Sequence, residues 1–195
     1  AADRLTDKRT KAGKKLDKAM RAELAPLKME RAVFVVDVTS TDDGPDGRDA
    51  VAFMIATNPG APAGPLNKIA SGGELSRFLL ALKVCLSQAG GGGLTMIFDE
   101  IDRGVGGATA DAVGRRLADL AADGQVLVVT HSPQVAALGQ HHWRVEKRQT
   151  KQATTSTVVP LAPTDRVDEI ARMLSGDTIT SEARAAAAAL MGVAV

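Results

Sequence analysis

Two adjacent carboxylates, Asp99 and Glu100, follow the apolar run Leu94-Thr95-Met96-Ile97-Phe98. Such a run reads as a strand covered on both faces, and in open α/β sheets ligands bind at the carboxyl ends of the strands. Asp99 is suited there to hold Mg2+, directly or through water, and Glu100 to orient or deprotonate an attacking water. Phosphoryl transfer needs both roles side by side. The same pair can equally do no more than cap the strand or start a turn. His131 directly follows a second apolar run, residues 125–130. It reaches the same sheet edge if the two strands are parallel neighbours, within reach of a γ-phosphate or the attacking water. A third constellation, Ser71-Gly72-Gly73-Glu74, has the spacing of a capping box, which satisfies amide donors at a helix start without any ligand. The box leaves the glycine pair unexplained. Two glycines cost helix stability, and they serve where backbone must approach a phosphate at the positive end of a helix. His141 and His142 lack the strand-end position of His131, and with a single cysteine, Cys85, no zinc site is expected.

The elements that must position these residues are legible in outline. Residues 3–25 carry Leu5, Ala12, Leu16, Ala19, Met20 and Leu24 mostly on one face of a helix, weakened by Gly13 and stopped near Pro26. This helix is either the return limb of a coiled coil or a solvated surface helix, since sustained heptads are absent. Residues 33–39 and 51–57 flank Asp42-Asp43-Gly44-Pro45-Asp46-Gly47 and predict an antiparallel hairpin. A Pro/Gly-rich loop over 58–65 leads to a helix from Ser71 to about Gln88, which Gly90 to Gly93 end. Strand 94–98, helix 109–121, strand 126–130 and short helix 133–138 then repeat one unit, the pattern of a parallel sheet flanked by helices. Two more strands, 143–147 and 155–161, and two helices, 164–174 and 180–191, complete the expected order. The alanine run 185–189 is a strong helix former and needs no functional role.

Bulk composition excludes several classes. With 195 residues, 45% hydrophobic and 24% charged, the chain has the make-up of one ordinary domain with, at most, a helical arm. No apolar run is long enough to span a bilayer, no signal peptide is recognisable, and the lone cysteine fits a reducing cytoplasm. The formal net charge of +1 gives no overall footprint for nucleic acid, so any DNA contact must be local or lie elsewhere. Arg144, Lys147, Arg148 and Lys151 form such a local cluster, although a charged, solvated strand edge explains them as well.

Taken in order, Ser-Gly-Gly-Glu, apolar-Asp-Glu and strand-Thr-His form a fingerprint that resembles the ABC-type ATPases, as signature motif, Walker B and switch histidine. The text after Walker B, Ile101-Asp102-Arg103-Gly104-Val105-Gly106-Gly107, departs from the transporters and looks like the chromosome-maintenance and repair branch. Within it, Asn58-Pro59-Gly60, the stretch from Pro65 to Arg77, Val129-Thr130-His131-Ser132-Pro133-Gln134 and Glu169-Ile170-Ala171-Arg172-Met173-Leu174 are closely similar to the bacterial RecN type. That resemblance covers nearly everything after the N-terminal helix. It implies an α/β fold, the C-terminal lobe of an ABC-type head with a largely parallel sheet, over residues 29–195, preceded by the end of a coiled-coil arm at 1–28.

By the same resemblance the chain serves DNA double-strand-break repair and recombination as half of an ATPase head. ATP and Mg2+ are the implied cofactors, with Glu100 and His131 catalytic and Asp99 on the metal. Ser71, Gly72, Gly73 and Glu74 would face ATP held by the opposing copy. Implied partners are the N-terminal lobe of the same head, a second head in an ATP-dependent homodimer, and DNA through the whole protein; the implied location is the cytoplasm, at the nucleoid, with no membrane role. Two features depart from the pattern. Gly106 stands where the condensin-like relatives have the D-loop aspartate, and no Gly-x-x-x-x-Gly-Lys-Ser/Thr loop occurs. The expectation is therefore a fragment, running from the arm to the natural C-terminus, that does not hydrolyse ATP alone. A condensin-like chromosome-organising head and a non-catalytic α/β interaction module are the alternatives.

Overall fold

The computed structural model describes residues 1–58, 60, 62–68, 72–87, 93–149 and 153–193. Helix α1 spans Ala2–Leu24 and lies along a long antiparallel hairpin of strands β1, Val33–Gly44, and β2, Gly47–Ala56. The hairpin continues through Asp42 and Asp43, beyond the strand ends expected from composition, and turns only at Pro45-Asp46. Its tip is tied to α1: Thr6 Oγ1 donates to Asp49 Oδ1 at 2.8 Å, and Arg9 Nη1 to Asp49 Oδ2 at 3.1 Å. Those bonds stabilise polar strand residues that β propensity alone would leave as loop. Gly13, a weak point in a helix on propensity, sits where α1 crosses β1. A Cβ there would lie 3.1 Å from Cβ and Cγ1 of Val36, so the glycine permits the close approach.

A two-residue strand β3, Gly64–Pro65, pairs with β2, and helix α2, Gly72–Ser87, follows. Strand β4, Thr95–Asp99, helix α3, Gly107–Leu120, strand β5, Gln125–Val129, and helix α4, Pro133–Ala137, form the expected βαβα unit. Strands β4 and β5 pair in parallel, with Phe98 opposite Val128 and Asp99 opposite Val129. Strands β6, Trp143–Gln149, and β7, Thr154–Pro160, make an antiparallel pair, and helices α5, Pro163–Ser175, and α6, Ser181–Met191, close the order. Parallel pairing is thus confined, among the described residues, to β4 and β5; the other two sheets are antiparallel.

One core joins α1, the hairpin, α2, β4 and α3. Met20, Leu24, Phe34, Phe78, Phe98 and Val113 are buried in it, and the Phe34 and Phe78 rings lie 5.4 Å apart. A smaller cluster packs α4, α5 and α6 through Ala137, Ile170, Ala183 and Ala187, the alanines letting α6 lie close. Thr180 caps α6 by accepting from the amide of Ala183 at 3.1 Å, and Gly192 ends it in the left-handed conformation. The parallel pair departs from the expectation of two covered faces. Phe98 is buried while Ile97 is 64% exposed and Val129 56% exposed, so two apolar side chains on the outer face of β4–β5 have no cover within the described chain. No helix among the described residues is long and apolar enough to cross a membrane.

Candidate functional site

Strand register brings the two acidic and imidazole turns together. Asp99 is the last residue of β4, and the amide of Glu100 donates to the carbonyl of Val129 at 3.1 Å, carrying the ladder one step past the strand. His131 lies two residues beyond Val129, so it shares the carboxyl edge with Asp99 and Glu100, and all three residues are exposed. Glu100 has φ +50°, a left-handed backbone that costs a non-glycine residue energy and turns the chain sharply out of the strand. Its carbonyl then accepts from the amide of Arg103 at 3.0 Å, and its Oε2 pairs with Arg103 Nη1 at 3.2 Å. With the two side chains 55% and 76% exposed, that ion pair is weak and leaves the carboxylate available to a ligand.

The motif Ser71-Gly72-Gly73-Glu74 is seen in part. Ser71 lies outside the described residues, while Gly72, Gly73 and Glu74 form the first turn of α2. A Cβ on Gly73 would come within 3.1 Å of the Arg103 carbonyl oxygen and 3.4 Å of Val105 Cγ1. The second glycine therefore admits close packing of the α2 start against the loop after Glu100. Arg77, one turn further on, donates from Nε to the Gly73 carbonyl at 3.2 Å and from Nη1 to the Leu27 carbonyl at 3.3 Å. This ties the helix start to the segment that follows α1. Lys83 of α2 stacks its ammonium over the Phe98 ring, 4.8 Å from the centroid, which links α2 to the strand carrying Asp99. Gly106 is the N-cap residue of α3 and has no side chain to offer a nucleotide.

Sequence reasoning missed Asp102. It is wholly buried, its Oδ2 accepts the hydroxyl of Thr130 and, at 3.2 Å, the amide of Ser132. Those two residues flank His131. The only signal in the sequence is a charged residue between Ile101 and Arg103, which a surface turn explains as well.

A cation at this edge could not be held by the described side chains alone: no group of three or more His, Cys, Asp or Glu side chains is placed to do so. One exposed carboxylate at a strand end could hold Mg2+ only with phosphate oxygens and water completing its shell. At the other end of the chain, Glu169 is buried, and burial alone would raise its carboxyl. The bonds from Arg172, at 2.6 and 3.0 Å, and from Arg144, at 3.4 Å, outweigh that and hold it below the ordinary carboxylate value. This uses Arg144 internally, since it also pairs with Glu146, and removes it from the local basic cluster.

No family model matches the chain. It is 44% identical to the DNA repair protein RecN of Rickettsia conorii over 190 residues, covering 97% of this chain and 35% of that protein. It is also 44% identical to the DNA repair protein RecN of Streptomyces coelicolor, covering 99% and 36% respectively, and 44% identical to that of Vibrio cholerae, covering 98% and 35%. Among solved structures, an SMC ATPase chain from work on ATP-driven dimerization and DNA-stimulated activation matches with a TM-score of 0.63 at 15% identity, over 89% of this chain and 99% of that one. The Smc head domain of Pyrococcus yayanosii matches with a TM-score of 0.62 at 18% identity, over 80% of this chain and 28% of that one. The fold is that of an SMC-type head, and over nearly its whole length the chain is closely similar to RecN DNA repair proteins, spanning 35% of the length of the Rickettsia conorii relative.

Proposed function

We propose that this chain is half of an ATP-binding and ATP-hydrolysing head of a RecN-like protein acting in DNA double-strand-break repair, completed by a lobe that carries the phosphate loop. The observation that carries the reading is the shared edge, where the Glu100–Val129 bond sets the Asp99-Glu100 turn beside the His131 turn. A second observation supports the missing lobe: Ile97 and Val129 stand bare on the outer sheet face among the described residues, and no phosphate-loop sequence occurs in the chain. Residues 1–28 then serve as the root of a coiled-coil arm, set on the β1–β2 hairpin.

In the assembled head, Asp99 would hold Mg2+ together with the phosphates, and the ion would neutralise charge developing on them. Glu100 orients water for attack and accepts its proton, which its exposed carboxylate and weak tie to Arg103 allow. His131 contacts the γ-phosphate or the same water. Ser71, Gly72 and Gly73 of one copy, with Glu74 behind them, close over ATP seated on a second copy, presenting backbone amides at a helix start. Head closure driven by ATP is then passed through the arm to DNA. The chain alone hydrolyses no ATP, because the amide cradle and its lysine are supplied by the other lobe. Replacing Glu100→Gln in the assembled head should slow turnover by about 10²- to 10⁴-fold with ATP still bound, measured by phosphate release. Undiminished hydrolysis would remove Glu100 from the role.

A further inference from the structure

We propose that Asp102 is a positioning residue for His131, a buried acceptor that pins the histidine turn to the turn carrying Glu100; the proposal rests on the reading of Glu100 and His131 just given. A wholly buried carboxylate is costly unless its oxygens are hydrogen-bonded. Here both bonds, from the Thr130 hydroxyl and the Ser132 amide, converge on Oδ2, while Oδ1 is buried with no hydrogen-bond partner among the described residues. Buried polar groups are rarely left without a partner, so a carboxylate with one oxygen doubly used and the other bare calls for an explanation. This one concentrates its acceptor strength on the two residues that bracket His131, whose side chain stays exposed. The Ser132 amide is shared with Thr130 Oγ1 at 2.9 Å, and Ser132 Oγ donates to Gln134 Oε1 at 2.9 Å. Backbone on both sides of the imidazole is thereby fixed. On its own side, Asp102 sits inside the turn begun by Glu100: Arg103 donates to the Glu100 carbonyl at 3.0 Å, and Val105 to the Asp102 carbonyl at 3.1 Å. Together with the Glu100–Val129 backbone bond, this one side chain ties the turn of the water-orienting carboxylate to the turn of the imidazole.

Since both bonds use a single oxygen, the geometry requires an acceptor rather than a charge. An Asn carbonyl placed at Oδ2 accepts both; alanine accepts neither. In the assembled head, Asp102→Ala and Thr130→Val should each lower kcat by about 10- to 10²-fold, the range expected when a catalytic group is misplaced by an ångström or less, with ATP affinity unchanged. Asp102→Asn should stay within about threefold of the parent, a loss too small to reflect a displaced group. Combined with His131→Ala, neither Asp102→Ala nor Thr130→Val should slow turnover further, because each acts through the imidazole. Thr130→Val removes the hydroxyl with little change of shape and carries the test if Asp102→Ala does not fold. Additive losses in the double variants, or Asp102→Asn as slow as Asp102→Ala, would overturn the proposal and leave the reading of Glu100 standing. Turnover unchanged by His131→Ala alone would overturn the assignment of the histidine, and this inference with it.

Discussion

His142 shows how a single side chain ties stability to pH. Burial pushes its imidazole below the ordinary value of 6.5; Arg166 adds to the push, Glu169 opposes it and Arg144 adds again. Its Nδ1 is buried without a hydrogen-bond partner among the described residues. The folded state thus favours the neutral ring, while the unfolded chain takes up a proton below 6.5. The contribution is present above that value and lost as pH falls through it toward the lower folded value. Thermal unfolding should show the chain less stable at about pH 5.5 than at about pH 7.5, an interval around the histidine range and above that of carboxylates. A His142→Gln variant should show a shallower decline; an identical decline would place the effect elsewhere. Cys85 behaves differently: burial first, and then Glu23, push its thiol up to about 11, so it packs as a small apolar group and offers little thiolate. Residue types at the site were legible because Asp-Glu after an apolar run and His after another are strand-end patterns. Asp102 was not, because its role depends on Thr130 and Ser132, about thirty positions away, and only the fold brings them together.

Among the elements, α1 and α3 share the core and are tied directly by one ion pair. Arg116 of α3 donates to both carboxylate oxygens of Glu23 of α1, at 2.6 and 2.7 Å, with both side chains more than four-fifths buried. Bidentate geometry in that setting makes the pair strong once formed, and expensive to break on one side. Glu23→Gln should destabilise the chain by roughly 1–2 kcal/mol, less than a fully unpaired buried charge costs, because Asp119 Oδ2 still lies 3.6 Å from Arg116 Nη1. Pairing Glu23→Met with Arg116→Met should recover most of that in chemical denaturation. Equal losses in single and double variants would mean that the helices are held by apolar contact alone. Because α3 begins at Gly107, directly after the loop that touches Gly73, the pair also links the root of α1 to the site. None of this was readable in the sequence, since the partners are 93 positions apart. The elements themselves were readable where periodicity was clean: α1, the β4–α3–β5 unit and α5 fall within a few residues of expectation. The hairpin was underestimated because its outer residues are held by Thr6 and Arg9 of another element.

For the whole molecule, the informative feature is an asymmetry of cover. Phe98 of β4 faces a complete core, whereas Ile97 and Val129 on the opposite face lie open. The apolar runs predicted strands covered on both faces; among the described residues only the Phe98 face is covered, and Thr95, Asp99 and Gln125 share the open face with Ile97 and Val129. That bare face and the shared edge of Asp99, Glu100 and His131 fit half of a head better than a self-sufficient interaction module. The central claim is that the glycine turn of one head closes over ATP on another. Sedimentation velocity of the assembled head carrying Glu100→Gln, with and without Mg2+ and ATP, measures it directly. Nucleotide should convert single heads to pairs, and Gly73→Leu, whose side chain would press on the Arg103 carbonyl, should abolish the pairs. Heads that sediment identically at millimolar nucleotide, or pairs that form undiminished with Gly73→Leu, would contradict it.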